Sequence, residues 1–130
     1  MTQDSQRTPE SPFTDRNLWL AENDLAVVVD QPEPWMVSPG HCLIVPRRRV
    51  ATVWVLSRQE WLACLDLSDV MKARIDAERK PDGYNIGINC GEAAGQTVFH
   101  AHIHLIPRYW GDDPAPRGSV HAVIPGKKNY

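Results

Sequence analysis

Thr97-Val98-Phe99-His100-Ala101-His102-Ile103-His104-Leu105-Ile106-Pro107 is the stretch that decides how this chain is read. Its spacing predicts a strand. Side chains alternate across a strand, so His100, His102 and His104 share one face. Ala101, Ile103 and Leu105 take the other face and enter a core. At ~3.3 Å of rise per residue, neighbouring imidazoles are rooted ~6.6 Å apart and the outer pair ~13 Å apart. A row of polar rings costs free energy unless each ring is hydrogen-bonded. A lone histidine is usually a satisfied core residue, whereas three on one face point to chemistry.

Two chemistries fit the row. Alternating histidines can share a metal, with Zn–N bonds of ~2 Å. The outer pair is too far apart for that, so a third ligand, His41 or His121, would have to come from elsewhere. The second chemistry is nucleophilic. A neutral imidazole attacks phosphorus without first losing a proton. Its neighbours can then hold phosphate oxygens or move protons. The residues just upstream favour this second scheme. Asn89-Cys90-Gly91-Glu92-Ala93-Ala94-Gly95-Gln96-Thr97 offers glycines able to expose backbone N–H groups, then amide and hydroxyl side chains. Such a loop suits a phosphate.

Working outward, Asn17–Ala21 and Leu25–Asp30 read as strands, with Glu22-Asn23-Asp24 as the turn between them. Gln31–Gly40 carries Pro32, Pro34 and Pro39 and reads as a loop. His41–Val45 is a third strand, closed by Pro46 and the solvated run Arg47-Arg48-Arg49. Ser57-Arg58-Gln59-Glu60 is a capping box. Trp61, Leu62, Leu65, Val70, Met71 and Ile75 follow at helical spacing, which predicts one helix over 58–78. Tyr84–Asn89 alternates as a strand. Several strands, short turns and one long helix define an α+β fold with an antiparallel sheet. Residues 1–12 read as a flexible leader, 13–108 as the folded catalytic domain, and 109–130 as a tail packed on the domain or on a partner copy.

The 130 residues suit one domain. The hydrophobic fraction is 42% and the charged fraction 23%, ordinary for a globular chain. A net charge of −2 gives no basic excess for nucleic acid. Three cysteines without C-x-x-C spacing argue against a disulfide framework and for a reducing compartment. No targeting segment or spanning apolar run is present, so a cytoplasmic protein that binds no membrane is expected.

The triad with its Gly95-Gln96-Thr97 prelude resembles the histidine-triad (HIT) family of nucleotide hydrolases and transferases. Pro39-Gly40-His41, an apolar strand and Pro46-Arg47 are similar to a second stretch of that family. The resemblance covers roughly Leu25 to Arg108. It looks most like the branch of the fragile-histidine diadenosine polyphosphate hydrolases. The resemblance implies a HIT-like fold of about five antiparallel strands and one long helix, paired as a homodimer. It makes His102 the nucleophile at the α-phosphorus, through a covalent nucleotidyl-histidine. His100 orients the site, and His104 binds a phosphate oxygen. Asn89, Gln96 and Thr97 contact phosphate or leaving group, Asp30 the ribose hydroxyls, and His41 supports the triad. Arg49 departs from the histidine that many members carry there.

A dinucleoside polyphosphate is therefore the favoured substrate, cleaved without a required cofactor and without a bound metal. A divalent cation can accompany the polyphosphate. A nucleoside phosphoramidase and a nucleotidyl transferase or phosphorylase are alternatives on the same fold. A nucleotide-binding interaction protein with incidental hydrolysis is the alternative of another class.

Overall fold

Ala26-Val27-Val28-Val29 and Cys42-Leu43-Ile44-Val45 are continuous apolar runs, rich in β-branched residues, and both are buried along their whole length. A strand reads this way when both of its faces are covered. In the computed structural model, which describes residues 10–128, they are the interior of a five-stranded antiparallel sheet. The strands are β1 (Trp19–Glu22), β2 (Ala26–Asp30), β3 (Cys42–Pro46), β4 (Gly83–Gly87) and β5 (Ile103–Arg108). Their order is β1-β2-β3-β5-β4, which puts β5 between β3 and β4. The register pairs Val28 with Ile44, Leu43 with His104, and Gly87 with His104.

One face of the sheet is covered by helix α1 (Arg58–Arg79). Its first turn is held by the capping box. Ser57 Oγ accepts the Glu60 N–H at 3.1 Å, and Glu60 Oε1 accepts the Ser57 N–H at 2.9 Å. It stops at Lys80, whose left-handed φ of 49° is followed by Pro81. Ala63, Cys64, Leu67, Met71 and Ile75 pack on Ala26, Val28, Cys42, Ile44, Ile103 and Leu105. The helix is longer at its end by one residue than its pattern predicts, and its stripe is narrower. Leu62, Leu65 and Val70 are each about half exposed (52%), on its outer flank. Trp61 reaches the core edge, whereas Trp54 lies open to solvent.

The opposite face carries Val27, Val29, Leu43 and Val45 beneath Phe13, with Leu18, Trp19 and Val98 alongside. Ser11 and Pro12, assigned above to a flexible leader, are placed here. Ser11 is buried, and Pro12 opens a short 3-10 turn. Residues 1–9 of the leader lie outside the described residues. In the arginine run, Arg47 bonds Glu22 and Arg48 forks onto Glu60. The tail folds back through Arg108, which bonds Asn85 and Asp112, and through an ion pair of Lys128 with Asp113. Among the described residues no helix is long and apolar enough to cross a membrane.

Candidate active site

β5 begins at Ile103, six residues later than its alternation predicts. Pro46 explains the difference. Continuing the ladder from the Ile44–Ile103 pair would set Pro46 opposite Ala101, and Pro46 has no N–H to give. The Ala101 N–H instead bonds the Val50 carbonyl at 2.8 Å. His100 and His102 therefore sit on the approach to the strand and only His104 on the strand itself. Ala101, Ile103 and Leu105 are all buried, as the alternation requires.

The three rings take distinct environments. His100 is buried. Its Nε2 donates to the Pro46 carbonyl at 2.7 Å, and its Nδ1 accepts from the Ser11 hydroxyl at 2.6 Å. The Ser11 oxygen in turn accepts the Phe13 N–H. His102 Nδ1 lies 2.8 Å from the His100 carbonyl. A carbonyl can only accept, so the proton is on Nδ1 and the Nε2 lone pair is free. No described residue bonds that Nε2, and the ring lines the cavity. His104 Nδ1 meets His41 Nε2 at 3.0 Å. The Val37 N–H donates to His41 Nδ1, so His41 must carry its proton on Nε2 and give it to His104. His104 is left with an Nε2–H donor. Burial lowers the pKa of all four histidines, so the rings are neutral near pH 7; His104 falls to about 4, helped by His102 and His41.

The second element is the Pro39-Gly40-His41 turn. Gly40 has φ +91°, and a Cβ there would sit 3.1 Å from both Arg79 Cδ and Pro107 Cγ. Only glycine fits this approach. Ser38 Oγ donates to the Pro107 carbonyl and Tyr109 Oη to the Pro39 carbonyl, each at 2.6 Å. The turn is thus tied to the far end of β5, and His41 is held behind His104.

These residues border a cavity of about 710 Å³, a size that suits a nucleotide. His102, His104 and His41 form one wall with Asp30, Asn89, Gln96 and Thr97 nearby. His100 stands behind that wall and does not line the cavity. Phe13, Leu18, Val29, Trp35 and Val37 supply the apolar side. Among the described residues no lysine or arginine lines it. Asn89 and Thr97 are exposed to the cavity with no partner on their side chains among the described residues.

Two expectations about the upstream loop change. Its amides are occupied: Gly91 N–H goes to Gln96 Oε1, Ala94 and Gln96 N–H to the Gly91 carbonyl, and Gly95 N–H to the Glu92 carbonyl. Gly91 and Gly95, at φ +94° and +92°, close a tight turn on itself rather than presenting a row of free donors. Gln96 is buried and has every polar atom engaged. Its Nε2 also donates to the Ala51 carbonyl at 2.6 Å and to that of Val98 at 3.0 Å. Among the described residues no group of three or more His, Cys, Asp or Glu side chains is placed to hold a metal. Sequence reasoning missed Ser11 and Phe13. The signal was a serine before proline, a helical-turn cap whose hydroxyl takes the Phe13 N–H.

An unshared imidazole nitrogen, facing a cavity beside a second imidazole that offers N–H, can attack phosphorus and receive phosphate oxygens. Residues 16–111 match the HIT domain, and the chain belongs to the HIT domain family. It is 31% identical over 116 residues to an AP-4-A phosphorylase of Mycobacterium tuberculosis, covering 83% of this chain and 58% of that protein. Against a bis(5'-adenosyl)-triphosphatase of Dictyostelium discoideum the identity is 41% over 76 residues, covering 55% and 48%. The crystal structure of a HIT family protein from Bacillus anthracis superposes with a TM-score of 0.67 at 33% identity, covering 73% of this chain and 66% of that one. The chain spans about half the length of the curated relatives it matches.

Proposed function

We propose that this protein is a nucleotide hydrolase or transferase that cleaves a dinucleoside polyphosphate at the α-phosphorus, through a nucleotidyl group carried on His102. The observation that supports the reading is the His102 ring, with its proton given to the His100 carbonyl and its unshared Nε2 on the cavity. In the first step Nε2 forms a bond to phosphorus. The bond from phosphorus to the bridging oxygen breaks, and that oxygen leaves with the electron pair on the remaining polyphosphate. The ring becomes cationic, and its Nδ1–H bond to the carbonyl strengthens, a stabilisation greater in the transition state than in the ground state. His104 donates its Nε2–H to a non-bridging oxygen. In the second step an acceptor oxygen, of water or of phosphate, attacks phosphorus, the P–N bond breaks with its electron pair returning to His102 Nε2, and the proton of a water acceptor passes to solvent.

The remaining residues find roles around this line. Asn89 and Thr97 are free donors for phosphate oxygens, and Asp30, at the end of β2, suits ribose hydroxyls. The apolar side with Trp35 suits a purine. Gln96 acts by holding the loop that presents Thr97. A divalent cation arriving with the polyphosphate would meet its outer charge. A homodimer through the free edge of β4, near the exposed Ile86 and Trp110, completes the proposal, and light scattering tests it.

Phosphate in place of water as acceptor is the second reading. The relative matched over 83% of this chain bears the name of a phosphorylase. Diadenosine tri- and tetraphosphate, with and without inorganic phosphate, test both readings when the products are separated chromatographically. Nucleoside monophosphate as product marks the hydrolase; nucleoside diphosphate that requires added phosphate marks the phosphorylase. His102→Ala should abolish release of either. Unchanged turnover in that variant refutes the nucleophile, and tight binding without turnover points to a binding protein instead.

A further inference from the structure

Four polar contacts and two ring contacts link the segment Ser11–Phe13 to the reaction row. The Phe13 N–H is held by Ser11 Oγ at 3.2 Å, and the same hydroxyl donates to His100 Nδ1 at 2.6 Å. His100 donates its single N–H, on Nε2, to the Pro46 carbonyl, and its own carbonyl accepts the Nδ1–H of His102. The Phe13 ring lies 5.6 Å from the His100 ring and 5.0 Å, edge-on, from the His102 ring. His102 has a second ring neighbour, His104, at 5.2 Å. Ser11 is 3% exposed and Phe13 7%, so neither contact is a surface accident.

The Ser11 hydroxyl has one proton, and the bond to His100 spends it. With Pro46 taking the Nε2–H, His100 Nδ1 must accept, so the serine is the partner that completes a single neutral tautomer. His100 then stays fixed, and its carbonyl keeps one direction. That carbonyl is what sets the proton on His102 Nδ1. Phe13, pinned by the same serine, is a wall against which the His102 ring cannot turn about its terminal torsion, a torsion that is otherwise broad. Two devices therefore converge on one ring, one fixing its proton and the other its plane.

We propose that Ser11 and Phe13 are positioning residues for the His102 nucleophile, acting through the His100 tautomer and through ring contact. The proposal rests on the reading of His102 as nucleophile, and its structural part can be tested apart from that reading. Ser11→Ala removes the hydroxyl, and Ser11→Thr restores one. Phe13→Leu keeps an apolar side chain and removes the ring edge, which serves if Ser11→Ala does not fold. Hydrolysis of diadenosine polyphosphate is followed alongside nitrogen NMR of the imidazoles. Ser11→Ala should lower kcat about tenfold with KM held within about twofold, the split expected when orientation rather than binding is lost, and Phe13→Leu, which also borders the apolar side of the cavity, should lower kcat by a similar factor. Ser11→Thr should recover most of kcat.

In the NMR spectra, wild type should show single Nδ1–H signals for His102 and Nε2–H signals for His100, blurred into tautomer exchange in Ser11→Ala. An unaltered kcat in folded Ser11→Ala and Phe13→Leu overturns the proposal. So does a fall in kcat that Ser11→Thr leaves uncorrected, or a His102 tautomer unmoved by Ser11→Ala. If wild type turns over no nucleotide, the proposed function fails, and the tautomer measurement alone still decides whether Ser11 fixes these rings.

Discussion

Replacing Gln96 with alanine separates two roles that a glutamine before the triad can have. Its side chain makes three hydrogen bonds, to the Gly91 N–H and to the Ala51 and Val98 carbonyls, at 2.8, 2.6 and 3.0 Å. At a net value of about 1 kcal/mol per bond, their loss destabilises by about 3 kcal/mol. The larger figure for a fully buried orphan does not apply, because Ala51 is exposed and water can reach its carbonyl. With a urea slope of about 2 kcal/mol/M, the midpoint falls by about 1.5 M. Tryptophan fluorescence in urea reads this directly, with five tryptophans in the chain. Gln96→Glu is the control. A carboxylate oxygen in place of Nε2 faces two carbonyls, so this variant should be less stable than Gln96→Ala at neutral pH. The reasoning is refuted if Gln96→Ala moves the midpoint by less than about 0.3 M while kcat collapses. That result would make Gln96 a ligand of the substrate.

Four further outcomes are expected. Trp35→Ala should raise KM for an adenine nucleotide severalfold and leave kcat nearly unchanged, because Trp35 is an aromatic ring of the cavity lining with nothing to give or take as a proton. Leu67→Ala, at 3% exposure between α1 and the sheet, should cost about 2–4 kcal/mol in chemical denaturation without altering kcat of the folded enzyme. Acid should weaken the fold within a defined window. His104 stays neutral in the folded chain down to about 4, while the unfolded chain takes up its proton near 6.5. The unfolded state thus binds more protons between those values, and stability declines as pH falls through them. The kcat profile should hold level through pH 6.5, since burial also lowers His102.

Much of this molecule can be read from its residues because they have short-range causes. The capping box at Ser57 and Glu60 starts α1 where its pattern says. The apolar runs at Ala26 and Cys42 become the doubly covered strands. The alternation around His102 sorts Ile103 and Leu105 to the helix side and His104 to the cavity side. What escaped has long-range causes. Ser11 is polar and sits between Glu10 and Pro12, and only His100, 89 residues later, gives it a reason to be buried. Gln96 reads as a phosphate contact because sequence shows its type, while the Ala51 carbonyl that claims it lies 45 residues back. The late start of β5 depends on Pro46, across the sheet. Gly91 and Gly95 suggest open donors in the sequence, because a glycine pair is the same residue pair whether its turn closes on an anion or, as here, on itself.

The chain of hydrogen bonds from Val37 through His41 to His104 has a direction, and its first donor belongs to the main chain. Each imidazole has one proton to place and one lone pair, so a single amide settles the orientation of everything after it. Inheritance acts on side chains, and this instruction is carried by none. Position 37 can therefore drift through nearly the whole alphabet without scrambling the protons beside the cavity. Proline alone, lacking the N–H, would erase the instruction.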